Sequence, residues 1–147
     1  PDAALSRLNS IDEIMQKETI DGAPLMDNAV YRDRLIALQA EVFAMKFNGM
    51  RLTTNAHEKK SSGMAGMIVK LQGCELNHRL AELAIDVMGE YGILFEDSPF
   101  IRDKGMWQTA YMFDLGLIIG GGSAQIQKNI ISERGLDMPR EPKVTKK

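Results

Sequence analysis

The sequence predicts an all-α fold, an up-and-down four-helix bundle with an extra short N-terminal helix, and three observations carry that prediction. Apolar residues recur at alternating spacings of four and three over two long stretches, Tyr31 to Leu52 and Met64 to Met88. Clusters of Gly, Pro, Asp and Ser, such as Asp21-Gly22-Ala23-Pro24 and Ser61-Ser62-Gly63, fall between the periodic stretches. No stretch shows the apolar–polar alternation of a half-buried strand. Long helices joined by short loops pack most simply as a bundle.

The elements follow in order. Ser10 and Glu13 form a capping box, which predicts an N-terminal helix through about Thr19. Asp27 or Asn28 then caps a long helix whose stripe is Tyr31, Leu35, Leu38, Val42, Met45, Gly49 and Leu52, because a short side-chain oxygen there accepts from a free backbone N–H. A second long helix carries Met64, Met67, Leu71, Cys74, His78, Ala81, Ile85 and Met88 on one face and ends near Gly89. Residues Glu90 to Pro99 read as a packed connector. A third helix is expected from about Pro99 to Leu117, broken near Gly105, with Trp107 and Tyr111 on one side. Gly120-Gly121-Gly122 interrupts it, since each glycine costs about 1 kcal/mol in a helix interior. Ser123 caps a last short helix through Ile126, Ile130 and Ile131, which Gly135 and Pro139 terminate. The expected division is an N-terminal helix and linker over 1–23, the bundle over 24–142, and a solvated tail over 143–147 containing Lys143, Lys146 and Lys147.

Composition narrows the function classes. A hydrophobic fraction of 44% with 26% charged residues is ordinary for a globular chain, and at 147 residues folding buries roughly 70% of the unfolded surface, enough for a core. Apolar runs such as Leu115 to Ile119 are far too short to span a bilayer, and Pro1 to Ser10 lacks the pattern of a secretory signal, so a cytoplasmic location is expected. A net charge of -2 without a basic face argues against nucleic acid. Cys74 is the single cysteine, which forbids an internal disulfide and reads as a core residue. The ten methionines read as flexible core filler.

Two patterns bear on chemistry. Glu75 and His78 have the Glu-x-x-His spacing that aims two ligands at one metal, but a di-iron bundle needs two such pairs and His57 has no glutamate three residues before it, so no metal site is expected. Neither histidine accompanies a nucleophile elbow. The triple glycine running into Ser123 is more suggestive: free N–H groups and the positive end of a helix dipole suit phosphate, and glycines let a ligand approach the backbone. It is no phosphate-cradling Walker loop, because no Gly-Lys-Ser/Thr follows.

The stretch Gly121-Gly122-Ser123-Ala124-Gln125-Ile126-Gln127-Lys128-Asn129-Ile130-Ile131-Ser132-Glu133-Arg134, followed by Leu136 and Met138-Pro139-Arg140, closely resembles the closing signature of acyl-CoA dehydrogenases. Arg34 to Phe47 is similar to the family's first long bundle helix, and Gly89-Glu90-Tyr91-Gly92 with Arg102-Asp103 to its central connector. The resemblance covers about Asp21 to Pro142. It implies the C-terminal helical domain of an FAD enzyme that dehydrogenates an acyl-CoA thioester in fatty-acid metabolism, inactive as a fragment. It also implies N-terminal and middle domains, a homo-oligomer (dimer or tetramer) and an electron acceptor such as electron-transfer flavoprotein as partners.

Carried over position by position, Ser123 and Gln125, with Gly122 beside them, match residues that contact the nucleotide part of FAD, while Asp86, Gly89 and Glu90 match a segment that approaches a neighbouring subunit's FAD. The departures are as informative. Many members carry the catalytic glutamate one residue before a Gly-Thr pair, and Gly121 stands there. A base must then come from an earlier helix, or the chain belongs to a non-catalytic subunit paired with an active one. Asp86 and Glu90 replace a Gln and a Gly of better-known members, and two carboxylates beside a pyrophosphate repel it.

Overall fold

A computed structural model of the chain describes residues 2–95, 97–140 and 142, so the expected lysine tail at Lys143, Lys146 and Lys147 lies outside the described residues. Among the described residues five α-helices make up the fold: α1 (Asp2–Lys17), α2 (Ala29–His57), α3 (Gly63–Val87), α4 (Met106–Ile119) and α5 (Ala124–Ile130). The all-α, up-and-down bundle with an added N-terminal helix is therefore observed.

The N-terminal helix is longer than the capping box implies. It starts at Asp2, and Ser10 and Glu13 lie within it instead of opening it. Ala3, Ala4, Leu5 and Arg7 are strong helix formers, and the stripe Leu8, Ile11, Met15 is buried in the core, so propensity and packing both extend the helix past the local cap signal. Its C-terminal end is Lys17, short of Thr19. Thr19–Ile20 (β1) instead pairs antiparallel with Ala23–Pro24 (β2) in a two-residue ladder, with Thr19 opposite Pro24 and Ile20 opposite Ala23. Asp21 and Gly22 both have positive φ, 52° and 81°, the conformation of the tight hairpin turn that an Asp-Gly pair favours. The ladder is too short for alternation to register in the sequence.

Asn28 caps α2, its Oδ1 accepting from the amides of Val30 at 3.0 Å and Tyr31 at 3.4 Å. The α2 stripe is buried at Leu35, Leu38 and Val42 and partly buried at Tyr31 and Met45. Farther on it opens: Met45, Gly49 and Leu52 line an apolar cavity of about 250 Å3 that α1 closes with Ala3 and Ala4, and α3 with Val69 and Gly73. Helix α3 is the central post and packs against α1, α2, α4 and α5. Leu76, Leu80, Ala81, Leu83, Ala84 and Val87 are its buried residues in the core.

The helix expected from Pro99 begins only at Met106. Asp103, Lys104 and Gly105 have successive φ values of 46°, 55° and 73°, all left-handed, so no right-handed helix can pass through them. The fully buried Trp107 fixes that start, its Nε1 donating to Asp103 Oδ2 at 3.1 Å. At the other end of the chain, α5 continues into one wider turn, Ile131–Gly135, lying against α3.

The methionines divide. Met15 and Met88 are buried, whereas Met50, Met106, Met112 and Met138 are exposed. Met50 lies on α2 with the exposed Phe43 and Phe47, and Met106 and Met112 lie on α4 with the exposed Phe113 and Ile119, while Met138 follows the last helical turn. Cys74 is half-buried at the edge of the core. Among the described residues no helix is long and apolar enough to cross a membrane.

Candidate functional site

The glycine turn is built by its neighbours. Helix α4 ends at Ile119, and the Gly120 amide still donates to Gly116 O at 2.8 Å. Gly120 is extended, then Gly121 (φ 68°) and Gly122 (φ 105°) turn the chain in a region where side chains are strained. Ser123 returns to extended geometry and caps α5, its Oγ accepting from the Ile126 amide at 3.5 Å. The Gln127 amide donates to Ser123 O at 2.9 Å. Gly121 and Gln125 are exposed, and Gly122 and Ser123 half-buried.

Two side chains hold this turn, and neither stood out in the sequence. Lys70 on α3 donates its Nζ to Ile118 O at 3.0 Å and to Gly122 O at 2.6 Å. Gln127 Nε2 donates to Gly121 O at 3.1 Å. Ile118 is in the last turn of α4, where carbonyls have no helical partner, so the ammonium also satisfies the negative end of that helix. A lysine on a helix stripe gives no signal of a partner 48 residues away.

The space around the turn suits a ligand on one side only. A side chain at Gly121 would meet no atom within 4 Å, whereas a Cβ on Gly122 would lie 2.8 Å from Gln127 Nε2. The open side is that of Gly121, next to the exposed Gln125, while Glu75 of α3 lies with Lys70, Ile118 and Ala124 on the side toward the bundle. Open space beside a capped helix start is what an approaching anionic group would need.

The second segment has a different character. Asp86, near the end of α3, pairs with Arg34 at 2.8 Å. Gly89 (φ 54°) opens a tight turn over Gly89–Ile93 and has open space around it, and Glu90 is exposed. Glu18, Asp86 and Glu90 share the rim of one pocket with Tyr31 and Tyr91, and Arg102 stacks over the Tyr91 ring at 4.4 Å while pairing with Glu18 at 3.2 Å. With Asp86 paired to Arg34 and Glu18 to Arg102, the rim offers the exposed Glu90 carboxylate, which suits a hydroxyl or amine donor and not phosphate. Lys70 and Asp86 are 16 positions apart on α3 (86 − 70), about 24 Å along its axis, so the two segments form separate surfaces.

Among the described residues no group of three or more His, Cys, Asp or Glu side chains is placed to hold a metal ion. His78 instead stacks on Tyr111 with ring centroids 4.4 Å apart, and its buried Nδ1 has no hydrogen-bond partner. The buried charge that sequence reasoning missed is Asp114, which accepts from Arg7 Nη1 at 2.7 Å. Its signal was present as a lone carboxylate inside the apolar run Met112 to Ile119.

Comparison with known proteins places this fold and turn in one class, the helical domain that closes acyl-CoA dehydrogenases. The family model described as acyl-CoA dehydrogenase, C-terminal domain, matches residues 5–136, and the chain belongs to that family. Among curated proteins, the acyl-CoA dehydrogenase IpdE1 of Mycobacterium tuberculosis is 42% identical over 76 residues, covering 52% of this chain and 19% of the relative. The protein of the same name from Mycolicibacterium smegmatis is 32% identical over 117 residues, covering 80% of this chain and 28% of the relative. The chain thus spans less than a third of the length of these relatives. Among solved structures, the ChsE4-ChsE5 complex from Mycobacterium tuberculosis superposes with a TM-score of 0.80 at 24% identity, over 94% of this chain and 36% of that one. A steroid ACAD, Tcur3481-Tcur3483, gives a TM-score of 0.80 at 17% identity, over 94% of this chain and 35% of that one. These superpositions establish the fold.

Proposed function

We propose that this chain works as the C-terminal domain of an FAD-dependent acyl-CoA dehydrogenase, contributing contacts to the nucleotide part of FAD and the helical core of an oligomer. The observation that carries this reading is the glycine turn ahead of α5, with open space at Gly121 and Ser123 capping the helix that follows. When bound, FAD supplies the acceptor for the β hydride of an acyl-CoA thioester. The chain's own part is to bind and orient: Ser123 and the start of α5 face the phosphates with N–H and hydroxyl groups, and Gln125 offers an amide to the nucleotide.

No group at position 121 can take the α proton, because Gly121 has no side chain. The base therefore comes from a carboxylate outside the turn. Asp86, Gly89 and Glu90 serve the oligomer side, where Gly89 leaves room for a neighbour's ligand and the exposed Glu90 carboxylate accepts from its hydroxyl donors, Asp86 being held by Arg34. The uncovered apolar faces of α2 and α4, with Phe43 and Phe47 on one and Phe113 and Ile119 on the other, support packing against further domains or copies. An N-terminal and a middle domain, and an electron-accepting flavoprotein, complete the working enzyme.

A second reading is favoured by Gly121 itself: a non-catalytic subunit of a heteromeric dehydrogenase, whose bundle serves assembly. The similar ChsE4-ChsE5 complex and the Tcur3481-Tcur3483 steroid ACAD are each named for two components, which is in keeping with it.

The test is to express the full-length protein, load it with FAD and mix it with acyl-CoA thioesters of straight-chain, branched and steroid type in the presence of an electron acceptor. Bleaching of the flavin band by any of them supports the enzyme reading. Bound flavin that no thioester bleaches, with bleaching restored by an added partner subunit, selects the second reading. A full-length protein that holds no flavin overturns the first.

A further inference from the structure

We infer that Lys70 is a positioning residue for the nucleotide site, acting through the carbonyl of Gly122; this rests on the reading that Ser123 and Gln125 face FAD. The inference begins with the trans peptide bond. Every described peptide is trans, so within each planar unit the C=O and the following N–H point in opposite directions. Lys70 Nζ, 2.6 Å from Gly122 O, draws that carbonyl toward α3. The Ser123 amide in the same plane must then point away from α3. Gln127 Nε2 does the same one unit earlier by holding Gly121 O at 3.1 Å, which sends the Gly122 amide the other way. Two carbonyls that would repel a phosphate are thus each held by a donor, one toward α3 and one toward Gln127, and the amides of the same peptide planes point the opposite ways.

Glycine makes this fixation necessary. Residues 120–122 are all glycine, the residue with the most backbone freedom, and the peptide units between them can flip at little steric cost. Left alone, the turn would sample orientations that present carbonyl oxygens on the open side. An ammonium is well suited to prevent it, since a charged donor binds a carbonyl more strongly than a neutral one. Its charge is held in place by a second bond to Ile118 O at 3.0 Å, at the negative end of α4. Lys70 is half-buried and rooted in the central helix, so the turn inherits the rigidity of the core.

The experiment uses the full-length protein with Lys70→Met, Lys70→Gln and Lys70→Arg. Three quantities are read: the FAD dissociation constant by flavin fluorescence, the melting temperature without FAD, and hydrogen exchange of the Gly120 and Gln127 amides, which are bonded on either side of the turn. Lys70→Met is expected to speed exchange of both amides and to weaken FAD about tenfold or more, the loss of a charged hydrogen bond. Lys70→Arg, which keeps charge and donors, is expected to recover most of the affinity, and Lys70→Gln to fall between. Should Lys70→Met fail to fold, Lys70→Gln carries the same comparison. Unchanged exchange in the neutral variants overturns the lock on the turn. Faster exchange and a lower melting temperature with FAD affinity unchanged reduce Lys70 to a structural tie and overturn the positioning role. Wild-type protein that binds no FAD overturns the nucleotide reading itself, and the exchange data then report the lock separately.

Discussion

Arg7 and Asp114 meet across the bundle at 2.7 Å, and the carboxylate side chain is only 2% exposed while the guanidinium is 26% exposed. The same Arg7 nitrogen lies 3.2 Å from Asn77 O, so one side chain ties α1 and α4 to the middle of α3. A carboxylate this deep is tolerable only while its partner stays.

Arg7→Met is therefore expected to destabilise the domain by about 3 kcal/mol, the lower end of the range for breaking a buried pair, because Arg7 reaches solvent. Urea unfolding read by Trp107 fluorescence measures it. The double variant Arg7→Met with Asp114→Leu is expected to recover part of that loss, since no buried charge is left alone. A double variant no more stable than Arg7→Met would refute this account.

Gly73 lies inside α3 and borders the apolar cavity, where a Cβ would meet Met45 Cε at 3.6 Å, an ordinary contact. Gly73→Ala is expected to stabilise the domain by about 1 kcal/mol through helix propensity, with a small gain from filled space. Differential scanning calorimetry should show a higher melting temperature. A lower one would mean that the cavity is needed open.

The exposed pair of Glu41 on α2 and Arg79 on α3 is bidentate, with Arg79 Nη1 2.8 Å from Glu41 Oε1. Hydrogen bonding to Arg79 holds the Glu41 carboxyl below its usual range, and the same bond raises the guanidinium. A depressed carboxyl contributes stability above its unfolded pKa, about 4.3, and loses it as pH falls through the lower folded value. Since both side chains are close to half exposed, the contribution is expected to stay under about 1 kcal/mol. Comparing urea midpoints of wild type and Glu41→Gln from pH 7 to pH 3 checks it: the difference should shrink only below about pH 4.3.

Gly121 has φ 68°, and a residue with a Cβ pays about 1–2 kcal/mol there. Gly121→Glu, which places a carboxylate where many family members carry it, is expected to lower the melting temperature and to bring no gain in turnover of the full-length protein. A gain in turnover would show that the turn can relax to hold a base.

Much of this was legible along the chain. Asn28 and Ser123 act as the caps their side chains announce, α3 ends two residues before Gly89, and Gly105, where the sequence predicts a break, bounds the start of α4. Those features depend on bonds within a few residues, and local chemistry decides them. Ser10 shows the limit of such signals: its capping box is sound in isolation, yet burial of Leu8 carries the helix through it. Of the candidate site, the glycines and Ser123 were readable because conformational freedom and capping are properties of single residues. Lys70 and Gln127, which give the turn its orientation, were not.

The sequence by itself determined where helices can run, where they must break, and that the final break opens a capped helix, because periodicity, capping and glycine entropy act over one or two turns. Tertiary structure alone decided which charges are buried and which carbonyls are held. Arg7 finds Asp114 across 107 positions and Lys70 finds Gly122 across 52, and such partners exist only once packing has excluded water and set the helices side by side.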